Sequence, residues 1–171
     1  MNRKTAILVG AAIVGALLLA RSERAEEKEG PGVDWKPLNA AKVSLEKGLA
    51  AAERQGKPIS AKFEIEDGKL QLSVYTAKQD KFWEQIVDHT SGKISKTEEI
   101  KEGEDLSAAK AQNETMANAR KSLRSAVEKA VSGNAGYRAV SVVPSLEGGR
   151  PVAKAVLENA TGTKAFSERL D

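Results

Sequence analysis

The chain has no cysteine, a single histidine and few aromatic residues. Without cysteine there can be no disulfide bond, thiolate nucleophile, cysteine metal site or lipoprotein-type lipid attachment. A transition-metal site would need carboxylates around His89, which is a rare ligand set. We therefore predict no metal and no cofactor, and we expect His89 to be a turn residue. Aromatics make up only 4% of the chain, which favours small aliphatic cores over a deep ligand cavity.

Outside the N-terminal residues 1–22, the chain has no excess of either positive or negative charge. Three of the 27 basic residues, Arg3, Lys4 and Arg21, lie in residues 1–22, where there is no acid. The rest of the chain carries equal numbers of basic and acidic side chains, and the two signs are interspersed. Nucleic-acid-binding proteins usually show a basic face or stripe. The composition therefore argues against nucleic acid as a partner.

No catalytic pattern is present either. No serine lies in a Gly-x-Ser-x-Gly turn, and Gly148-Gly149-Arg150 is too short for a phosphate-binding loop. Glu64 and Glu66 are two residues apart on a predicted strand and share one face. Paired carboxylates can act as acid and base, but this spacing is typical of a solvent-facing strand. We predict that the protein is not an enzyme and has no catalytic residues.

The N-terminus contains an apolar run from Thr5 to Ala20 that follows positively charged residues. A helix of this length would span roughly 24 Å, which is short for a bilayer core of ~30 Å. The length favours a secretory signal in residues 1–22, whereas the poor cleavage sequence Ala20-Arg21-Ser22 favours an uncleaved membrane anchor. A buried soluble helix is the third reading. Both signal and anchor place the rest of the chain outside the inner membrane, with residues 23–41 as a flexible tether.

A helix followed by a hairpin occurs twice in the remaining sequence, which indicates a duplicated small unit. Ser44 and Ser122 each precede a helical stretch, and Gly68-Lys69 and Gly149-Arg150 each mark a turn. We align the segments 81–88 and 164–171, because both end on an apolar residue followed by aspartate. A competing register pairs the Ser-Gly turn at 91–92 with the Thr-Gly turn at 161–162.

Local patterns predict the individual elements. Apolar and charged residues alternate from Ala61 to Glu66, and Asp67-Gly68 is a two-residue hairpin signal. Residues 104–132 contain neither glycine nor proline and predict one long helix, or two helices with a bend near Ser122. The other predicted strands are 70–74, 82–88, a short strand at Ile94, 138–144, 151–158 and 163–170. The second unit therefore lacks the fourth strand of the first.

The first unit resembles a PepSY domain. The resemblance rests on Ser44-Leu45-Glu46, on Ala50 to Ala52 and on the closing segment Val87-Asp88-His89-Thr90-Ser91-Gly92-Lys93-Ile94. It covers residues 42–98 well and residues 120–171 weakly, because the second closing turn is missing. PepSY domains are small α+β modules of exported or membrane-attached bacterial proteins and of secreted metallopeptidase propeptides. The resemblance implies an extracytoplasmic binding module that restrains a peptidase, and it transfers no catalytic residue.

We therefore predict an α+β fold of two PepSY-like units, spanning residues 42–102 and 103–171. Each unit is expected to be a helix packed on a small antiparallel β-meander, with a long helix joining the two. The N-terminal apolar segment would be a separate signal or anchor helix.

The candidate partner-binding residues are Tyr75, Phe82 and Trp83. Phe82 and Trp83 are adjacent on a predicted strand and must point to opposite faces. One of them is therefore exposed, or is covered by the second unit, the long helix or a partner; packing between the units is the simpler explanation.

The predicted function is non-catalytic binding of a protein or peptide, with a peptidase as the implied partner, through a strand edge or the aromatic face. The alternative is a structural cell-envelope protein that assembles through its duplicated units, for example as a homodimer. An enzymatic function ranks last.

Overall fold

The computed structural model describes residues 35–171. The predicted signal or anchor at residues 1–22 lies outside the described residues, as does most of the predicted tether. None of the helices in the described part of the chain is long and apolar enough to cross a bilayer. In chain order the elements are α1 (Trp35–Leu38), α2 (Leu45–Ala52), β1 (Lys57–Glu66), β2 (Lys69–Lys78), β3 (Lys81–Val87), β4 (Ile94–Ile100), α3 (Gly103–Ala117), α4 (Leu123–Ser132), β5 (Arg138–Glu147), β6 (Arg150–Asn159) and β7 (Gly162–Arg169).

All seven of these strands form one continuous antiparallel sheet, in the order β4-β3-β2-β1-β5-β6-β7. The prediction of two separate units, each a helix on its own small meander, was wrong. The halves join where β1 pairs with β5, with Ala61 opposite Val142 and Lys62 opposite Ser141. An alternating pattern reveals which face of a strand is buried, but not which strand lies beside it. The sequence therefore does not indicate that the unpaired edge of β1 forms hydrogen bonds with the unpaired edge of β5.

The two halves of this sheet are related by a constant spacing along the chain. Strands β5, β6 and β7 begin 81 residues after β1, β2 and β3, as from Lys57 to Arg138. The same irregularity in strand pairing recurs at this spacing, between positions 58 and 60 and between 139 and 141. Ala61 and Val142 are such an equivalent pair and lie opposite each other. An approximate two-fold axis therefore passes through the junction.

This spacing corrects the predicted alignment of the third strands. Lys81 corresponds to Gly162, so the register that matched Lys81 with Lys164 is two residues off, and the competing register is wrong as well. Backbone hydrogen bonds support the structural equivalence. The amides at positions 42 and 43 donate to the carbonyl of His89, and those at 120 and 121 donate to the carbonyl of Leu170.

Helices α2 and α4 pack on one face of the sheet, and their predicted N-caps are confirmed. The Ser44 hydroxyl accepts from the Lys47 amide at 3.4 Å, and the Ser122 hydroxyl accepts from the Ser125 amide at 3.1 Å. Each cap satisfies a backbone amide that the first helical turn leaves unpaired. The two helices also contact each other, and an Arg124–Glu53 ion pair of 2.8 Å links them.

Helix α3 lies on the opposite face of the sheet. Ser60 and Ala61 are adjacent on β1 and therefore point to opposite faces of the sheet. The Ser60 hydroxyl donates a hydrogen bond of 2.8 Å to the Gln112 side chain of α3. Of the two predictions for residues 104–132, the single long helix is wrong and the alternative of two helices that meet near Ser122 is confirmed. The two helices lie on different faces of the sheet, which neither prediction included. The break lies at 118–122, where the chain turns over the end of the sheet and its amides bond to the carbonyl of Leu170.

The core lies mainly between the sheet and the α2–α4 pair. Leucine, valine and alanine dominate it, as the scarcity of aromatics predicts. Helix α2 approaches the sheet closely at Gly48, where an added Cβ would lie 2.6 Å from Cδ2 of the buried Leu72. The principal buried side chains on this side are Leu45, Leu49, Ala61, Phe63, Leu72, Val74, Leu123, Val127, Val142, Ala155 and Leu157.

Candidate functional site

The three predicted partner-binding residues do not form one surface. Phe82 is buried, 5% exposed, on the face that carries α3. Tyr75 lies on that face too and is largely buried, within the electrostatic influence of Asp105 on α3. Trp83 points to the other face and remains partly exposed beside the end of α2. Of the three aromatic side chains, Trp83 is therefore the one that borders open space.

Tyr75 belongs to a polar cluster whose members satisfy one another. Burial, together with the carboxylates of Glu84 and Glu64, raises the pKa of Tyr75 well above its ordinary value, so the phenol stays protonated. Burial also raises the pKa of Glu84. Glu64 accepts a hydrogen bond of 2.9 Å from the Ser73 hydroxyl and pairs with Lys62 at 2.6 Å. These contacts leave the cluster with a structural role between strands.

Trp83 borders a groove that runs between α2 and the edge of the sheet formed by β3 and β4. Two adjoining depressions of about 440 and 380 Å³ make up this groove, and Gln55 at the end of α2 lines both. We call it the α2 groove. Its lining consists of Ala50, Ala51, Arg54, Gln55, Lys78, Gln79, Lys81, Trp83, Gln85, Gly92, Lys93, Ile94 and Thr97.

Every charged residue in the lining of the α2 groove is basic. Arg54, Lys78 and Lys93 are exposed, and their side chains form no ion pair with any residue from 35 to 171. Lys81 pairs with Glu99 at 3.3 Å. Partial burial opposes ionisation of Glu99, but the ammonium groups of Lys81 and Lys101 outweigh it and lower the pKa of Glu99. The groove therefore carries a net positive charge.

A tight turn holds one end of the groove in place. The Asp88 carboxylate accepts hydrogen bonds from the amides of Ser91, at 2.6 Å, and Thr90, at 3.1 Å. These bonds lower the pKa of Asp88. The Asp88 amide in turn donates to the carbonyl of Lys93 at 2.8 Å, so Lys93 is positioned by a hydrogen-bonded loop. His89 lies in this turn, and its carbonyl accepts two amides, which agrees with the predicted turn role.

A strained turn forms the other end of the groove. Gln79 and Asp80, which connect β2 to β3, both have left-handed backbones with φ of 52° and 60°. The equivalent connection at the 81-residue spacing, between β6 and β7, contains Ala160 and Thr161, and neither has a left-handed backbone. A non-glycine residue in this region costs about 1 kcal/mol or more. Gln79 therefore lines the groove from a backbone conformation that costs free energy.

The floor of the groove contains a buried amide that links the two outer strands. Gln85 is 1% exposed, and its side-chain oxygen accepts a hydrogen bond of 2.6 Å from the Thr97 hydroxyl of β4. Its side-chain nitrogen has a long contact of 3.5 Å with the Thr76 hydroxyl. The Gln85 amide is therefore held between Thr97 and Thr76, and it links β3 to both of its neighbouring strands.

The residues that line the groove do not recur at the equivalent positions of the other half of the sheet. At the 81-residue spacing Lys164 takes the place of Trp83, and β7 has no strand beyond it among the described residues. Between the caps Ser44 and Ser122 the spacing is 78 residues, so Ser132 takes the place of Arg54. The groove is thus a property of one half and not of the repeated architecture.

Sequence reasoning found Trp83 but missed Arg54, Lys78 and Lys93. Each of them is separated from the next by at least fifteen residues and looks like an ordinary exposed basic residue. Their convergence depends on how α2 lies over β3 and β4, for which no local pattern gives a signal. No family model, curated protein or solved structure matches this chain.

Proposed function

We propose that this protein is a non-catalytic binding module that holds an extended segment of another protein in the α2 groove. The single observation that carries the proposal is the placement of Trp83. A tryptophan at the side of an open groove offers a large apolar surface together with a hydrogen-bond donor. Such side chains dominate the binding energy of many protein interfaces. The basic groups around it that form no ion pair within residues 35–171 would orient the bound segment.

The resemblance of residues 42–98 to PepSY domains supports the same proposal. It implies a module without catalytic residues that works outside the cytoplasm, and a peptidase is the partner it suggests. The apolar sequence of residues 5–20 supports an extracytoplasmic location, either as a released module or as one tethered to the inner membrane.

Both edges of the sheet are less suited to binding than the groove. Strand β4 carries Lys96, Glu98 and Glu99 at one edge, and β7 carries Lys164 and Glu168 at the other. Charged side chains on edge strands are a common protection against pairing with another chain. The groove is therefore the better site for a partner, and assembly through the edges is disfavoured.

Selection from a random twelve-residue peptide library on the immobilised full-length protein tests this proposal. We expect enriched peptides that bind the wild type and lose at least tenfold in affinity for Trp83→Ala. Leu146→Ala is the matched control, since Leu146 is 55% exposed on β5 and does not line the groove. Circular dichroism of both variants verifies that the fold is intact.

Two results would overturn the proposal. One is a library that yields no enriched peptide with the wild type. The other is a set of peptides whose affinity is the same for wild type and Trp83→Ala, since these peptides would bind elsewhere. Concentration-dependent dimers without peptide affinity would favour the alternative, a structural protein of the cell envelope.

A further inference from the structure

We infer that the segment held in the α2 groove is acidic, with carboxylates that pair with Arg54, Lys78 and Lys93. This inference rests on the proposed function and names its ligand class. Its basis is charge complementarity: the groove is lined by four basic residues and no acidic residue. Three of the four make no ion pair within residues 35–171.

The charge of the groove is local, because the chain without its first 22 residues has equal numbers of acidic and basic side chains. Two nearby acids are paired with other basic residues, whereas Asp80, which lies between Gln79 and Lys81, is exposed and forms no ion pair within residues 35–171. Glu53, one residue before Arg54, pairs with Arg124 of α4 at 2.8 Å. Glu99 is held by Lys81 and by Lys101, at 3.3 and 3.4 Å. Within residues 35–171, Arg54, Lys78 and Lys93 are thus not neutralised by an ion pair.

The equivalent surface beside α4 provides an internal comparison. There the two signs are mixed, since Glu128 is in the place of Ala50 and pairs with Arg124 at 3.1 Å. Glu168 on β7 is paired with both Lys121 and Lys129. Lys121, Arg124 and Lys129 on that side are therefore paired with acids, whereas only Lys81 among the four basic residues of the α2 groove has such a pair.

An extended peptide fits this groove better than a nucleic acid does. Successive side chains of an extended segment alternate, so acids at every second position face one wall together. Nucleic-acid channels use several stacking aromatics along a basic track, whereas this groove has Trp83 alone.

The test uses fluorescence polarisation of a labelled dodecapeptide with alternating Glu and Thr on the full-length protein. Its matched partner has Gln in place of each Glu. We expect the Glu peptide to bind at least tenfold more tightly, and the affinity to fall when salt is raised from about 50 to about 300 mM, because counterions screen exposed charges. The double variant Arg54→Glu, Lys93→Glu should lose at least tenfold.

Lys110→Glu is the matched charge control, because Lys110 is exposed on α3, on the opposite face of the sheet. It should bind the Glu peptide with wild-type affinity. A circular dichroism spectrum shows whether the double variant is folded. If it is not, Lys78→Gln, which removes one unengaged cation, should still weaken binding about threefold.

Several results would overturn the inference. If the Glu and Gln peptides bind with the same affinity and both lose affinity for Trp83→Ala, the ligand is not required to be acidic. The proposed function would remain, because the peptides would still bind at Trp83. Failure of every peptide, including those from the random library, would remove both. Stronger binding of a dT12 oligonucleotide than of the Glu peptide would assign the groove to nucleic acid.

Two further outcomes would assign the groove to this protein itself. Self-association that is lost in the double variant would make a second copy the occupant. Residues 23–29 contain four glutamates, one arginine and one lysine. Tighter peptide binding after Glu→Gln substitution of those four glutamates would make this segment the occupant, and a partner protein would be excluded as the primary ligand.

Discussion

Because β1 and β5 pair at the centre of one sheet, removal of core volume in the second half should destabilise the first half equally. Leu157→Ala is the perturbation that we choose. Leu157 is fully buried on β6, in the half of the sheet that α4 covers, and it is distant in sequence from β1–β4. Its truncation removes apolar volume without adding a polar group.

The expected loss is about 3 kcal/mol. Leucine-to-alanine changes at fully buried sites cost about 2.7–5.0 kcal/mol, and the lower part of this range applies where neighbours can partly fill the cavity. Ala139 lies opposite Leu157 on β5 and Ala155 shares its face of β6, and both are too small to fill the cavity completely. In a domain of this size, such a loss lowers the melting temperature by about 10 °C. At an m-value of about 2 kcal/mol/M it shifts the urea midpoint by about 1.5 M.

Urea unfolding monitored by tryptophan fluorescence provides a one-sided probe. Both tryptophans of the chain, Trp35 and Trp83, precede β5, so fluorescence reports on the first half alone. Far-UV circular dichroism reports on both halves. In a single cooperative domain, Leu157→Ala lowers both midpoints by the same amount.

A fluorescence midpoint that stays at its wild-type value while the dichroism develops an earlier transition would refute this reasoning. The two halves would then unfold independently, despite the Ala61–Val142 pairing. Leu146→Ala is the control, because it makes the same chemical change at a site that is 55% exposed. We expect it to shift the midpoint by less than about 0.5 M.

Two further predictions concern α2 and the polar cluster. Gly48→Val should destabilise the fold by about 2 kcal/mol in urea unfolding, because its Cβ would lie 2.6 Å from Leu72 Cδ2. The control Lys47→Val, at an exposed site, should cost under about 1 kcal/mol. Equal losses in the two variants would contradict the packing argument. Burial raises the pKa of Glu84 above its ordinary 4.5, so the ionised group costs stability at pH 7. Glu84→Gln should therefore stabilise at pH 7 and lose this gain as the pH falls through the raised pKa of Glu84, with none left below 4.5; a gain independent of pH would refute it.

The sign of the Glu84 effect follows from proton linkage. A carboxyl with a raised folded-state pKa binds its proton more tightly in the folded than in the unfolded protein. Its contribution to stability is therefore greatest below the unfolded pKa and is lost as the pH rises through the folded pKa. Glutamine is neutral throughout, so the variant differs most from the wild type where Glu84 is ionised.

Much of the local structure could be predicted from short segments. The Asp67-Gly68 turn forms with φ of 49° and 73°, and Glu66 pairs with Lys69 across it. The serine caps, the strand positions and the opposite orientations of Phe82 and Trp83 also agree with the structure. Each of these depends on contacts within a few residues, such as a cap hydroxyl, a glycine in a turn or the period of a strand.

The candidate site could be predicted only in part. Trp83 was identifiable because Phe82 and Trp83, which are adjacent on a strand, must point to opposite faces of the sheet. If one of them lies in the core, the other is either exposed or covered by another element. Arg54, Lys78 and Lys93 carry no such signal, since single basic residues are common on any surface. Their common orientation toward one groove arises from the position of α2 over the outer strands.

The sequence by itself determined where helices, strands and turns form, and which side of each strand is apolar. It also determined that the core would be aliphatic and that no thiol chemistry is possible. Only the tertiary structure decided that β1 pairs with β5, that α3 and α4 lie on opposite faces, and that one half of the sheet carries a basic groove. The reason is physical: propensity, capping and periodicity act over a few residues, whereas strand neighbours and converging charges are chosen by packing between segments far apart in the chain.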